Sequence, residues 1–299
     1  MNEYVEGLIV KHPVFGLGKI VALHSNKAHI HFRDDGQDSR HLSLASPLLK
    51  IADVQADPQL DSLPPFRDGK FATKAKRVPW NDGIEEFRRH FSGAFSDPLY
   101  IGTGNLKEKG TGERSYKWAA HELWLAQLGD GGAEDLVSRG EVEEFAKRVL
   151  AIVGSTNLLS PFEAMALRDG LQDEEPAQRF FEALLGCLDH GPAPETFAPL
   201  ADAVLGLPAK KGRARVATWP VLTILPFLAR PDRFMFLKPE ITTQCAERMR
   251  FDLHYDSSLR WVTYDRLMKL SELLLEKLRP LGARDYIDVQ SFMWVIAKY

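Results

Sequence analysis

The stretch Val10-Lys11-His12-Pro13-Val14-Phe15-Gly16-Leu17-Gly18-Lys19-Ile20-Val21 decides how the N-terminal part of this chain is read. An apolar run, Val5–Val10, leads into it. Pro13 suits the end of a strand because it cannot donate to a ladder. Gly16 and Gly18 allow a tight backbone turn where a side chain would clash. Phe15 supplies a large apolar anchor for a core too small to hold many. After the turn, Lys19–His24 and Lys27–Arg33 alternate, separated by Ser25-Asn26. Asp34-Asp35-Gly36 is a further turn, and Arg40–Leu44 follows. Four or five short strands at this spacing, with turn residues between them, predict a small all-β barrel over residues 1–52.

Beyond it the pattern changes twice. Residues 53–83 contain Pro58, Pro64, Pro65 and Pro79 and little apolar periodicity, which reads as a basic linker or strap carrying Arg67, Lys70, Lys74, Lys76 and Arg77. Residues 84–299 read as a mainly α-helical domain. Ile84, Phe87, Phe91 and Phe95 follow helical spacing. Ser160-Pro161-Phe162-Glu163 combines a cap serine, proline at the first helical position and glutamate three after the cap, so a helix is predicted from there to about Gly170. Leu267, Leu270, Leu274 and Leu278 share one face of a later helix. The fold class is therefore multi-domain: an SH3/Tudor-like barrel followed by helices.

The quoted stretch, with Phe32-Arg33-Asp34-Asp35-Gly36 and the closing Leu48-Leu49-Lys50-Ile51, resembles the Tudor-like, SH3-type module at the C-terminus of UvrD/PcrA-family helicases. The shared pattern is V-x-H-P-x-F-G-x-G-x-V, then a strand, a turn and a strand ending near F-x-D-D-G. The resemblance covers residues 5–51. It implies a protein-docking module rather than a catalyst, with RNA polymerase or a helicase/nuclease assembly as partner, and it places the docking surface at Val14, Phe15, Gly16 and Leu17. The chain departs from the family in lacking the motor: no G-x-x-x-x-G-K-[ST] phosphate loop occurs in it.

Composition sets outer bounds. In 299 residues, 44% are hydrophobic and 26% charged, with a formal net charge of −3, so the chain as a whole is no polyanion binder and any basic surface must be local. Two local stretches qualify as nucleic-acid-binding candidates: Arg67, Lys70, Lys74, Lys76 and Arg77, and the loop Lys210, Lys211, Arg213 and Arg215. Cys187 and Cys245 are too few and too far apart for a disulfide framework or a zinc ribbon, and they read as free buried thiols. The N-terminal residues lack a basic n-region and a long apolar core, and the apolar stretch Val216–Ala229 is interrupted by Pro220 and Pro226. No membrane segment and a cytoplasmic location are expected.

Catalytic motifs are weak. His29 and His31 alternate on one strand and, with His12, His24 or His41, raise a metal site; a solvated histidine-rich face is the plainer reading, and no metal or cofactor is expected. Gly102-Thr103-Gly104-Asn105-Leu106-Lys107 is similar to a phosphate-cradling turn, but no helix opens directly after it. Asp285, Asp288, Gln290 and Lys298 do not give nuclease order, and Asp288 reads as the cap of the last helix. No catalytic residue is assigned, and the motifs weigh against an enzyme. Three functions are carried forward: a non-enzymatic adaptor in DNA or RNA metabolism, docking through the N-terminal barrel; a nucleic-acid-binding subunit of a bacterial defence or repair system; and a hydrolytic enzyme with an unrecognised site.

Overall fold

A computed structural model describes residues 4–102, 112–210, 212 and 214–299. Among the described residues seven strands come first: β1 (Ile9–His12), β2 (Gly16–His24), β3 (Lys27–Phe32), β4 (Arg40–Ser43), β5 (Lys50–Ile51), β6 (Phe66–Arg67) and β7 (Lys70–Phe71). Twelve helices follow among the described residues: α1 (Trp80–His90), α2 (Pro98–Ile101), α3 (Ser115–Leu128), α4 (Gly132–Ser138), α5 (Val142–Gly154), α6 (Pro161–Gly170), α7 (Glu174–His190), α8 (Pro194–Gly206), α9 (Trp219–Ala229), α10 (Pro239–Arg248), α11 (Trp261–Leu278) and α12 (Tyr286–Lys298). The chain forms two units: Met1–Arg89 with Thr243–Leu253 and Val295–Tyr299, and His90–Thr242 with His254–Trp294.

In the first unit, β1 to β5 form an antiparallel sheet of order β4-β3-β2-β1-β5. β4 and β5 are its two edges and no ladder joins them, so the sheet is open where the sequence reading expects a closed barrel. The period of two sorts the side chains. Val10, Ile20, Ala28, Ile30 and Phe32 point to one face and form a core with Leu44 and Leu49. Gly18 lies in this face, where an added Cβ would meet a Phe32 ring carbon at 2.6 Å, so only glycine lets the Phe32 ring lie against β2.

The opposite face is not open to solvent throughout. The β6–β7 hairpin lies across it, with Phe66 5.4 Å from the His29 ring and Phe71 edge-on to His31 at 5.2 Å. His31 is wholly buried, which corrects the reading of a solvated histidine face. Residues 52–83 also carry a 3-10 turn, Leu60–Ser62, and ladder-like bonds to the rest of the unit: Val78 N–H donates to Arg248 O (2.9 Å), and Lys74 and Ala75 N–H donate to the Glu247 carboxylate (3.1 and 2.9 Å).

The second unit is helical. α9 is buried on every side, as expected of a helix that is apolar all round. Stacked aromatics add to this core: Phe145 on Phe181 at 4.1 Å and Phe197 on Tyr264 at 5.3 Å. The predicted start of α6 holds, since Ser160 Oγ accepts from Glu163 N–H (3.3 Å) while Glu163 Oε2 accepts from Ser160 N–H (2.7 Å).

Candidate functional site

The β1–β2 turn presents the residues singled out for docking. Phe15 is half-buried: His12 stacks on it at 4.5 Å, Phe32 lies 5.2 Å away, and the Arg40 guanidinium carbon sits 4.0 Å over its ring. Arg40 is fixed in turn by a bidentate bond to Asp35 (2.6 and 2.9 Å). Val14 N–H donates to His12 Nδ1 (3.2 Å). The aromatic stack thus holds the turn rigid while Val14, 75% exposed, is the side chain it presents. Leu17 is half-buried, and Gly16 has φ +76 with open space at its Cβ position. Val5, Leu48, Ile51 and Val54 are also exposed, so five of the fourteen large exposed hydrophobics among the described residues fall within residues 5–54.

The basic candidates divide. Arg67, Lys70, Lys74 and Lys76 are exposed, and none forms an ion pair among the described residues. Arg77 is turned inward: it donates to Phe32 O (3.3 Å), Arg33 O (3.2 Å) and Gln37 O, and burial lowers its pKa to about 10. Lys210 pairs with Asp169 at 3.0 Å, Arg215 is exposed, and Lys211 and Arg213 lie outside the described residues.

Within the helical unit, Asp285 and Asp288 belong to a buried polar group whose other members, Arg114, Tyr100 and Lys117, the sequence reading does not single out. Arg114 donates to both Asp285 oxygens (2.9 and 2.6 Å) and to Asp288 Oδ1 (2.7 Å). Tyr100 Oη donates to the same Asp288 oxygen (2.5 Å), and Arg284 N–H donates to the other (2.7 Å). Lys117 reaches Ser291 Oγ (2.9 Å) and Glu113 (3.1 Å). Burial opposes the charge on Arg114, but the two carboxylates outweigh it and hold its pKa above the ordinary value. Burial lowers the Lys117 pKa and raises that of the Tyr100 hydroxyl. Asp285 accepts from Ile287 and Asp288 N–H (3.0 and 3.3 Å) and so caps α12, which corrects the assignment of that cap to Asp288. These carboxylates are saturated by protein donors and leave no position for a hard cation. The cluster is a structural clasp rather than a catalytic centre.

The other candidates are the two thiols, the histidines and the glycine-rich turn. Burial pushes the Cys187 thiol up to about 11 and the Cys245 thiol up to about 12, away from the thiolate a nucleophile needs. No group of three metal-ligating side chains converges among the described residues, although His29 stacks on His41 at 4.6 Å. No helix among them is long and apolar enough to cross a membrane. The phosphate-turn candidate, residues 102–107, falls mostly outside the described residues. Comparison with family models, with curated proteins and with solved structures gives no match.

Proposed function

We propose that the chain is a non-enzymatic adaptor in DNA or RNA metabolism whose N-terminal sheet, an SH3/Tudor-like unit in this reading, docks on a protein partner such as RNA polymerase or a helicase/nuclease assembly. The observation that carries it is the exposure of Val14 on a turn held by the His12, Phe15 and Arg40 stack. The sequence resemblance to the helicase module supports it, as does a meander whose fifth strand returns beside the first. Docking energy concentrates in a few side chains that enter a partner's pocket. Val14→Asp places a charge at that point without touching the core. Affinity capture from nuclease-treated native lysate is expected to lose the partner with this variant by roughly tenfold or more, with no change in melting temperature. Full retention of the partner by Val14→Asp removes the docking surface from this turn.

A second reading is favoured by the four unpaired cations of the strap. Arg67, Lys70, Lys74 and Lys76 are free to contact phosphates, as in a nucleic-acid-binding subunit of a bacterial defence or repair system. Four phosphate contacts give a log–log salt slope of about −3 to −4. A salt-independent affinity for a DNA or RNA duplex would exclude it.

A further inference from the structure

His31 is an unusual residue to bury. Its Nδ1 lies 2.6 Å from Asp38 O and therefore carries the proton it donates. Its Nε2 has no hydrogen-bond partner, and the whole side chain is 0% exposed. A buried acceptor without a partner is costly. A proton on that nitrogen would be costlier, because nothing nearby is free to receive it.

The charged neighbours on every packed element make this specific. From β2, the cross-strand residue opposite His31 is Lys19, whose ammonium turns away to Asp61 (2.6 Å). From the strap, Arg77 is bound to the carbonyl of Phe32 at the end of β3 and to those of Arg33 and Gln37 in the β3–β4 connection. From the segment after α10, Arg250 clamps Asp38 with two bonds (2.7 and 2.9 Å) and also donates to Ala75 O and Glu247 O. The nearby carboxylates are taken: Asp38 by Arg250, Asp35 by Arg40, Asp34 and Asp57 by Arg33, and Glu247 by the Lys74 and Ala75 amides. His29 and His41 lie further along the same face. An imidazolium at His31 would be a further cation beside Arg77 and Arg250, under the Phe71 ring, with no anion to spare.

We propose that His31 is an acid-operated latch: its protonation releases the strap of residues 66–77 from the sheet and opens the second face of the docking unit. This rests on the docking reading given above and supplies its regulation. The direction of the linkage follows from the geometry. Burial, and then Arg77, lowers the pKa of the closed form from 6.5 to about 4. The open form therefore binds more protons between those values, and the closed form loses stability as pH falls below about 6.5, with the loss complete near 4. At pH 5 the open population should rise by about 20-fold relative to pH 7.

The test is amide hydrogen exchange on the full chain at pH 7 and pH 5, corrected for intrinsic exchange. Ala72 N–H, which donates to Pro65 O (2.8 Å), and the Lys74 and Ala75 amides are the reporters, with buried α9 as the internal control. The expected result is a loss of protection at the reporters of about 20-fold at pH 5 relative to pH 7, with α9 unchanged. His31→Asn keeps a donor for Asp38 O and cannot be protonated, so its protection should not depend on pH in this way. Undiminished reporter protection at pH 5 overturns the latch, and so does an equal loss in His31→Asn. A proton-NMR titration of the wild-type His31 ring covers the case in which the variant misfolds: titration near 4 supports the latch, and titration near 6.5 overturns it. Exchange needs no partner, so a failed latch leaves the lysate result with Val14→Asp standing, and the reverse also holds.

Discussion

Arg114→Met is expected to destabilise the helical unit by about 3–5 kcal/mol, read from urea or guanidinium unfolding. The substitution keeps the length of the side chain and removes the one group that neutralises Asp285 and Asp288 together. Asp288 is wholly buried, and what remains to it is Tyr100 Oη and the Arg284 backbone and side chain. An uncompensated buried carboxylate costs far more than a well-packed neutral group. Neutralising the two carboxylates should therefore have the opposite effect. Adding Asp285→Asn and Asp288→Asn to Arg114→Met should recover a large part of the loss. Asparagine caps helices as well as aspartate does, and at position 288 its amide oxygen can still accept from Tyr100. A single variant within about 1 kcal/mol of wild type would show that the clasp does not hold α12 to α3.

Gly102→Ala is expected to cost at least about 3 kcal/mol, by the same measurement. Gly102 has φ 69 and ψ −173, a region that side-chain-bearing residues avoid. The larger effect is steric. A Cβ there would stand 1.9 Å from Gly112 N and 2.5 Å from Gly112 Cα. The backbones at 102 and 112 touch, and just outside this contact Arg114 N–H donates to Tyr100 O (3.1 Å). The two glycines thus bring Tyr100 and Arg114 together where both reach Asp288. Gly140→Ala is the control. It has the same φ of +69 with nothing within 4 Å of the added Cβ, so it should cost only about 1–2 kcal/mol. Equal costs at the two positions would mean that backbone strain, not the close approach, governs position 102.

What could be read from the sequence was what short-range rules determine. The capping box at Ser160 and Glu163 is local, and the helix began and ended where its signals stood. The strands were legible because glycine and Asp-Asp-Gly turns punctuate an alternating pattern. The second face of β3 was not. His29 and His31 are polar, so alternation alone assigned them to solvent, and nothing in residues 66–77 announced that Phe66 and Phe71 would cover them. The lysines of that segment obscured two aromatics, Phe66 and Phe71, eleven and six residues before its most buried cation, Arg77. Arg250 and Asp38 are 212 positions apart, and Arg114 and Asp285 are 171 apart. Pairings at such separation leave no periodic trace in a single sequence. The same reason made Asp288 look like a cap: its carboxylate does bind a backbone N–H at the start of α12, but that of Arg284, while Asp285 holds the capping position.

The central claim is that the β1–β2 turn touches a protein. The most direct measurement places a photo-crosslinking amino acid at Val14 of the full chain in its native cells, with matching probes at Lys70 and Lys74 on the strap. The account predicts discrete protein adducts from position 14 that survive nuclease digestion and disappear when Phe15→Ala loosens the turn. Absence of protein adducts at 14, together with nuclease-sensitive adducts at 70 and 74, would contradict it and assign the surface to nucleic acid.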